Sequence, residues 1–132
     1  MEEERLASAP LFAGLHKREL RELATRTDGI DIPEGKQLAR EGDFAYEFFV
    51  IEKGTATVTH GDEHVADLGP GDFFGEMGIL GQKRRGATVT ATSPMELIVM
   101  TERALRSLSH EEPQVHRRLE EAIEQRLPAD GS

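Results

Sequence analysis

Two short stretches of this 132-residue chain carry residue types that could together hold a sugar and a phosphate. The first stretch, residues 73–80, places one acid, Glu76, between Gly75 and Gly78. Nine residues after Glu76, Arg85 stands directly before Gly86. A carboxylate can accept hydrogen bonds from sugar hydroxyls, whereas a guanidinium and exposed backbone amides suit phosphate oxygens. The spacing therefore predicts a single site that grips a small sugar phosphate.

The composition bounds the kinds of protein that this chain can be. With 132 residues, of which 37% are hydrophobic and 31% charged, it is long enough for one well-packed domain. The chain has no cysteine, which excludes disulfides, thiolate metal ligands and thiol nucleophiles. No apolar run approaches a membrane span, and the acidic start of the chain is unlike a signal peptide. We therefore expect a cytoplasmic protein without a membrane partner.

The charge balance argues against direct binding of nucleic acid. The formal net charge is −9, whereas nucleic-acid binding needs clustered lysine and arginine to displace counterions. A local pocket can still hold one small anion, because salt screens charges over about 8 Å under physiological conditions. The densest basic run, residues 83–85, lies inside the candidate site.

The hydrophobic patterns predict helices, then short strands, then helices again. Leucines recur at helical spacing in residues 1–27, with a break near Pro10. Residues 28–101 are short apolar runs separated by glycines, including an alternating run at 55–59 followed by a turn at Gly61. Residues 102–127 return to helical spacing.

Capping signals place the two C-terminal helices more closely. Thr101 is a suitable N-cap for the first helix, and Ser109 with Glu112 fits a capping box for the second. Pro128 is expected to end the second helix. The whole chain, residues 1–132, is thus predicted to be one α+β, mainly β, domain. It should form an antiparallel β jelly-roll barrel with an N-terminal helical segment and two C-terminal helices.

Catalysis and metal binding have less support in the sequence. None of the serines lies in a nucleophile-elbow context, and no pair of carboxylates stands out as catalytic. A metal-binding barrel of the cupin type would need clustered histidines, but His60 and His64 flank a predicted turn. The other histidines fall in helical segments. We therefore expect no enzyme and no metal site.

The candidate site resembles a known motif. Residues 74–80 and 85–89 are similar to the two ends of the phosphate-binding cassette, here residues 74–89, of cyclic nucleotide-binding domains. That family includes catabolite activator regulators, regulatory subunits of cAMP-dependent kinase and cyclic-nucleotide-gated channels. Residues 41–54 and 68–72 match its barrel signatures, and the last two helices resemble its hinge helices.

The resemblance assigns a role to each chemical group. It implies that Glu76 accepts a hydrogen bond from the ribose 2′-hydroxyl and that Arg85 pairs with the cyclic phosphate. The ligand-binding residues expected on this basis are Gly75, Glu76, Met77, Gly78, Arg85, Gly86 and Ala87. The residues expected to contact or cover the base are Val58, Val65, Phe74 and Arg126. The two valines could equally be core residues, and Arg126 could equally be a solvated helix end.

The implied function is an allosteric receptor for a cyclic nucleotide, with no other cofactor. Gly86 stands where cGMP-selective relatives often carry a threonine, which favours cAMP over cGMP as the ligand. Binding would reposition the C-terminal helices and signal to a homodimer mate or an effector protein. An apolar stripe could form that contact or pack on the barrel instead; it comprises Val115, Leu119, Ile123 and Leu127. Two alternatives stay open: a related barrel that senses another small anion, and an interaction domain without a ligand.

Overall fold

The computed structural model describes residues 1–76 and 84–131, with side chains described as far as residue 125. The described helices are α1 (Glu3–Ala7), α2 (Lys17–Ala24), α3 (Glu102–Glu111) and α4 (Pro113–Gly131), with a 3-10 turn at Pro10–Phe12. The described strands are β1 (Asp28–Ile32), β2 (Gln37–Ala39), β3 (Glu47–Lys53), β4 (Ala56–His60), β5 (Glu63–Leu68), β6 (Phe73–Phe74), β7 (Thr88–Ala91) and β8 (Met95–Thr101). Helices thus precede and follow a β region, as predicted.

The strands form two antiparallel sheets, which confirms the predicted jelly-roll fold. One sheet has the order β1-β8-β3-β6, and the other has the order β2-β7-β4-β5. Strands β4 and β5 form the predicted hairpin around Gly61, whose φ of 61° suits a tight turn. The hairpin register shifts between Val58 and Thr59, which leaves Val65 as the extra residue of a bulge.

The first sheet is covered on both of its faces. Along β3, Phe48 and Val50 belong to a core shared with the helices, whereas Phe49 and Ile51 belong to the core between the sheets. This division follows from the period-two alternation of side chains in a strand. Strands β3 and β8 therefore read as continuous apolar runs because both faces are buried.

The C-terminal helix α4 packs back onto the N-terminal segment. Val115 and Leu119 are buried in the helix-side core, and Ile123 is also buried. The Arg118 guanidinium donates hydrogen bonds to the carbonyls of Leu11 (2.9 Å) and Ala13 (2.8 Å). The apolar stripe predicted from the sequence thus packs inside the chain as far as Ile123. Leu127 lies outside the described side chains.

The capping predictions had mixed outcomes. The Thr101 hydroxyl accepts a hydrogen bond from the Ala104 amide (3.1 Å), which confirms it as the N-cap of α3. The capping box at Ser109 is wrong, because α3 continues to Glu111 and the buried Ser109 hydroxyl pairs with His116 Nδ1 (2.9 Å). The prediction that Pro128 ends the last helix is also wrong, since α4 extends to Gly131. A proline inside a helix removes one backbone hydrogen bond and its ring crowds the carbonyl four residues earlier, which can kink the helix without ending it.

The helices were also compared with what a membrane span requires. None of those in the described part of the chain combines the length and the apolar character needed to cross a membrane.

Candidate functional site

Gly75 brings the backbone of the candidate site close to β3. Its φ is 99°, in the left-handed region that residues with a side chain rarely adopt. A Cβ atom at this position would lie 2.7 Å from the Glu47 carbonyl oxygen and 2.9 Å from Arg85 Nη1. Both contacts are too short for a carbon atom. Glycine therefore lets the end of β6 pass directly against β3 and the Arg85 guanidinium.

Glu76 follows this turn and is buried, with only 1% of its surface exposed. A buried carboxylate is costly unless charges or hydrogen-bond donors meet it. The Glu76 charge acts on Arg85, since it is among the acids that attract the guanidinium. The acid and the base that the sequence placed nine residues apart are thus brought together electrostatically.

Arg85 is half-buried, and hydrogen bonds of both its main chain and its side chain hold it in place. Its Nη2 donates a hydrogen bond to the Glu47 carbonyl oxygen (2.9 Å), and its guanidinium carbon lies 5.9 Å from the centre of the Phe49 ring. The Arg85 amide donates to the Asp43 carbonyl (2.7 Å), while the Arg85 carbonyl accepts from the Gly42 amide (2.9 Å). These hydrogen bonds to the loop before β3 therefore fix the position of the Arg85 backbone.

The guanidinium of Arg85 is partly desolvated and lies close to several carboxylates. Burial lowers the pKa of Arg85, and the nearby carboxylates of Glu102, Glu47 and Glu76 oppose that change. Within the described residues, the guanidinium's hydrogen bond goes to a neutral carbonyl. A phosphate oxygen could supply a charge-assisted, bidentate contact that this carbonyl cannot.

Arg84 has a different environment from its neighbour. It is exposed, its guanidinium lies 4.2 Å from the centre of the Phe44 ring, and its Nη1 donates to the Gly42 carbonyl (2.8 Å). Residues 44 and 84 also form an antiparallel bridge. Arg84 thus ties the cassette end to the loop before β3, whereas the Arg85 side chain is hydrogen-bonded to the Glu47 carbonyl at the start of β3.

The residues predicted to surround the base have differing degrees of burial. Phe74 is buried and stacks on Phe49, with ring centres 4.9 Å apart. Val58 is half-buried against the core between the sheets. Val65 is 41% exposed at the hairpin bulge and belongs to neither core. The contact of these residues with a base stays a prediction. Arg126 lies outside the described side chains.

The remaining predicted ligand contacts lie at the second end of the cassette or outside the described range. The Gly86 carbonyl lies 3.1 Å from His60 Nδ1, which joins the cassette to the β4–β5 hairpin. Ala87 is half-buried directly before β7. Met77 and Gly78 lie outside the described residues. Their roles, like those of Gly86 and Ala87, stay predictions.

A cleft of about 310 Å³ opens beside Arg85, between β2 and the loop before β3. Two of its lining residues are exposed aromatics that stack on each other: Phe44 is 53% exposed and Tyr46 is 70% exposed. Neither residue was predicted to belong to the site. The signal that could have found them is a pair of large aromatics in a short polar loop, where burial is not expected.

Two acids near Arg85 were also missed. The main chain of Glu47 holds the guanidinium, and Glu102 is the carboxylate that acts on it most strongly. Neither could be found from local spacing, since both come close to Arg85 only when β3 pairs with β8 and α3 follows. The register partner of Glu47 is Thr101, the residue directly before Glu102.

The histidines that flank the hairpin turn form separate pairs. His60 Nδ1 lies 3.4 Å from Glu41 Oε2, and His64 Nε2 lies 2.9 Å from Asp67 Oδ1. Among the described residues, no group of three or more histidine, aspartate or glutamate side chains is placed to hold a metal ion.

Comparison with known proteins identifies the class of domain. A family model described as the cyclic nucleotide-binding domain matches residues 30–112. This match covers more than half of the chain, so the chain belongs to the cyclic nucleotide-binding domain family. The family resemblance predicted from the cassette is thereby confirmed.

Several relatives place the chain within that family. It is 33% identical over 84 residues to a cGMP-dependent protein kinase of Eimeria tenella, covering 64% of this chain and 8% of the kinase. It is 30% identical over 108 residues to a cAMP-dependent protein kinase regulatory subunit of Hypocrea atroviridis, covering 82% of this chain and 23% of the subunit. The chain spans less than a third of the length of these curated relatives.

The fold is also that of solved relatives. The catabolite activator protein of Thermus thermophilus aligns with a TM-score of 0.75 and 28% identity, over 92% of this chain and 59% of that chain. The two sheets and the flanking helices described above match this architecture.

Proposed function

We propose that this chain is a regulatory module that binds a cyclic nucleotide, with cAMP as the preferred ligand. The observation that carries the proposal is the position of the Arg85 guanidinium, which lies where a Cβ on Gly75 would come within 2.9 Å of Nη1 and which is attracted by the buried Glu76. It combines an acceptor for sugar hydroxyls with a donor for phosphate oxygens, the two groups that a cyclic ribose phosphate needs. Membership of the family, and relatives named for cAMP and cGMP, support this choice of ligand class.

The proposed division of labour follows from charge. Arg85 pairs with the anionic cyclic phosphate, which compensates the desolvation that lowers its pKa. Glu76 accepts the ribose 2′-hydroxyl, because an ionised carboxylate offers acceptors only. Backbone amides of the cassette complete the phosphate contacts, and Val58 supplies apolar surface near the base. The absence of a hydroxyl at Gly86 favours adenine over guanine recognition.

The proposed output is a change in the packing of the C-terminal helices. The Glu102 amide at the start of α3 donates to the Tyr46 carbonyl (3.0 Å), next to the residue whose carbonyl holds Arg85. A ligand that draws Arg85 away from Glu47 would therefore act close to the point where α3 begins. Because the α4 stripe is buried as far as Ile123, signalling to a dimer mate or effector requires α4 to shift or to use another face.

The first prediction concerns the phosphate contact. We expect wild-type protein to bind cAMP more tightly than cGMP, and Arg85→Ala to weaken cAMP binding by about 30-fold to several-thousand-fold. This range follows from removing one partner of a desolvated charged contact. Isothermal titration calorimetry with both nucleotides measures it.

The matched control is Arg84→Ala, which removes the same charge from the exposed neighbouring position. We expect it to change affinity by no more than about threefold, as for a rim charge. Equal losses in the two variants would contradict a specific role for Arg85. If neither nucleotide binds the wild type, the domain senses another anion or acts without a ligand.

A further inference from the structure

Glu102, in the first turn of α3, is an acid that the family motif does not explain. Its Oε1 atom is shielded from solvent and accepts no hydrogen bond from any described residue. Burial raises the pKa of Glu102, while the positive charges of Arg85 and Arg106 act in the opposite direction. Arg106 lies one turn along the same helix, whereas Arg85 belongs to the cassette and acts on Glu102 electrostatically. A charged group that binds Arg85 would therefore change the electrostatic environment of Glu102.

The backbone around Glu102 is joined to the same strand that holds Arg85. The Glu102 amide donates to the Tyr46 carbonyl (3.0 Å), and the preceding residue, Thr101, pairs in register with Glu47. The Glu47 carbonyl in turn accepts the Arg85 hydrogen bond (2.9 Å). The first turn of α3 and the cassette arginine thus share one end of β3. Arg85 and the N-terminus of α3 are therefore hydrogen-bonded to two consecutive residues, Glu47 and Tyr46.

We propose that Glu102 is a positioning residue that balances the charge of Arg85 and thereby lowers the affinity of the site for an anionic ligand. The proposal rests on the proposed function, because it takes the ligand anion to be a cyclic phosphate. A phosphate and the Glu102 carboxylate attract the same guanidinium and repel each other. A bound phosphate therefore weakens the electrostatic attraction between Arg85 and Glu102, and Glu102 is the residue at which α3 begins. By linkage, protonation of Glu102 and binding of the ligand should favour each other by the same free energy.

Removal of the Glu102 charge should tighten binding. We expect Glu102→Gln to raise cAMP affinity by about threefold to tenfold, the scale of one charge–charge term at intermediate dielectric. Glu102→Asp keeps the charge and should stay close to the wild type. Glu111→Gln, at the exposed far end of the same helix, makes the same substitution away from Arg85 and should leave affinity unchanged. Calorimetric titration of the four proteins measures these differences.

The pH dependence of binding separates this role from a purely structural one. A bound phosphate offsets the attraction of Arg85 for Glu102, so the pKa of Glu102, already raised by burial, should rise further. Wild-type protein should then take up protons on binding, and its affinity should increase as pH falls through the range where Glu102 titrates. The charged groups that bear on this pair are Arg106, Glu47 and Glu76. Glu102→Gln should flatten the profile, whereas Glu111→Gln should not.

A measurement without any ligand tests the charge pairing itself. In a double-mutant cycle of Glu102→Gln and Arg85→Met, the effects on urea unfolding should be non-additive near pH 7 and additive at about pH 3, where carboxylates are protonated. Additive effects at both pH values would overturn the proposal even if no nucleotide binds. Weaker or unchanged binding by Glu102→Gln would overturn it while wild-type binding and its loss in Arg85→Ala still support the proposed function.

Discussion

The two sheets of this domain differ in how completely their faces are covered. In the first sheet, β3 and β8 each have four consecutive buried residues, because helices pack on one face and the second sheet faces the other. In the second sheet, β7 alternates between half-buried and buried positions, and β5 has no buried residue. The central strands of the first sheet are therefore buried on both faces, whereas the second sheet is partly exposed.

This difference shows where a fold of this size can accommodate a ligand. The core between the sheets is well filled near Ala56, Ala91 and Leu97, which are almost fully buried. Towards Val58 and Arg85 the burial becomes partial. Tight packing favours stability and leaves no room for a small molecule. The half-buried Arg85 lines the cleft described above, and the buried Glu76 acts on it electrostatically.

The substitution expected to have the largest effect removes a large side chain from the helix-side core. Phe48 is fully buried and packs against Phe73, with ring centres 5.5 Å apart. We expect Phe48→Ala to lower the free energy of unfolding by about 3–5 kcal/mol, as for other buried phenylalanines. Val58→Ala, in the half-buried part of the second sheet, should cost about 1 kcal/mol, near the value of one or two methyl groups. Urea denaturation followed by circular dichroism measures both.

The two variants should have the reverse order in ligand binding. Val58→Ala should weaken cAMP binding, whereas a Phe48→Ala protein that is still folded should bind nearly as well as the wild type. If Val58→Ala is as destabilising as Phe48→Ala and leaves affinity unchanged, the two sheets do not divide structure from binding in this way.

A smaller effect on stability, with a larger effect on the site, is expected at Gly75. Replacing it with alanine forces a left-handed φ of 99° on a residue with a side chain and places Cβ 2.7 Å from the Glu47 carbonyl oxygen. Strain of this kind costs about 1–3 kcal/mol. Because the new atom also meets Arg85 Nη1, Gly75→Ala should lose stability and cAMP affinity together. Thermal unfolding and calorimetry measure the pair.

Gly35 provides the control for this substitution. Its φ is 91°, but a Cβ there would have no atom within 4 Å. Gly35→Ala should therefore show the backbone strain without the steric clash, and nucleotide affinity should not change. Equal effects on affinity from the two alanines would mean that the close approach at Gly75 is not what places Arg85.

The sequence was sufficient for the overall architecture because its patterns are local. The alternating run after Gly54 and the turn at Gly61 lie within a few residues of each other and form the hairpin β4–β5. The Thr101 cap was likewise readable from one residue before an apolar repeat. The capping box at Ser109 failed because a buried hydroxyl with a tertiary partner, His116, outweighed a local capping pattern.

Only part of the site could be predicted from the sequence, because such a prediction depends on local patterns. Glu76 and Arg85 share one motif, but their supporting groups come from distant parts of the chain. Glu47 and Glu102 are separated by 55 positions and become neighbours only through the pairing of β3 with β8. No local spacing encodes that register. The acids that tune the arginine therefore had to come from the fold.

The most direct test of the central claim pairs a change in the protein with a change in the ligand. If Glu76 accepts the ribose 2′-hydroxyl, wild-type protein should bind 2′-deoxy-cAMP more weakly than cAMP by about tenfold or more, the value of a hydrogen bond to a charged group. Glu76→Ala, which removes the acceptor, should bind the two ligands with nearly equal affinity. Calorimetric titration of both proteins with both ligands completes the cycle. Equal discrimination by wild type and variant would contradict the assignment of Glu76 and Arg85 as one sugar-phosphate grip.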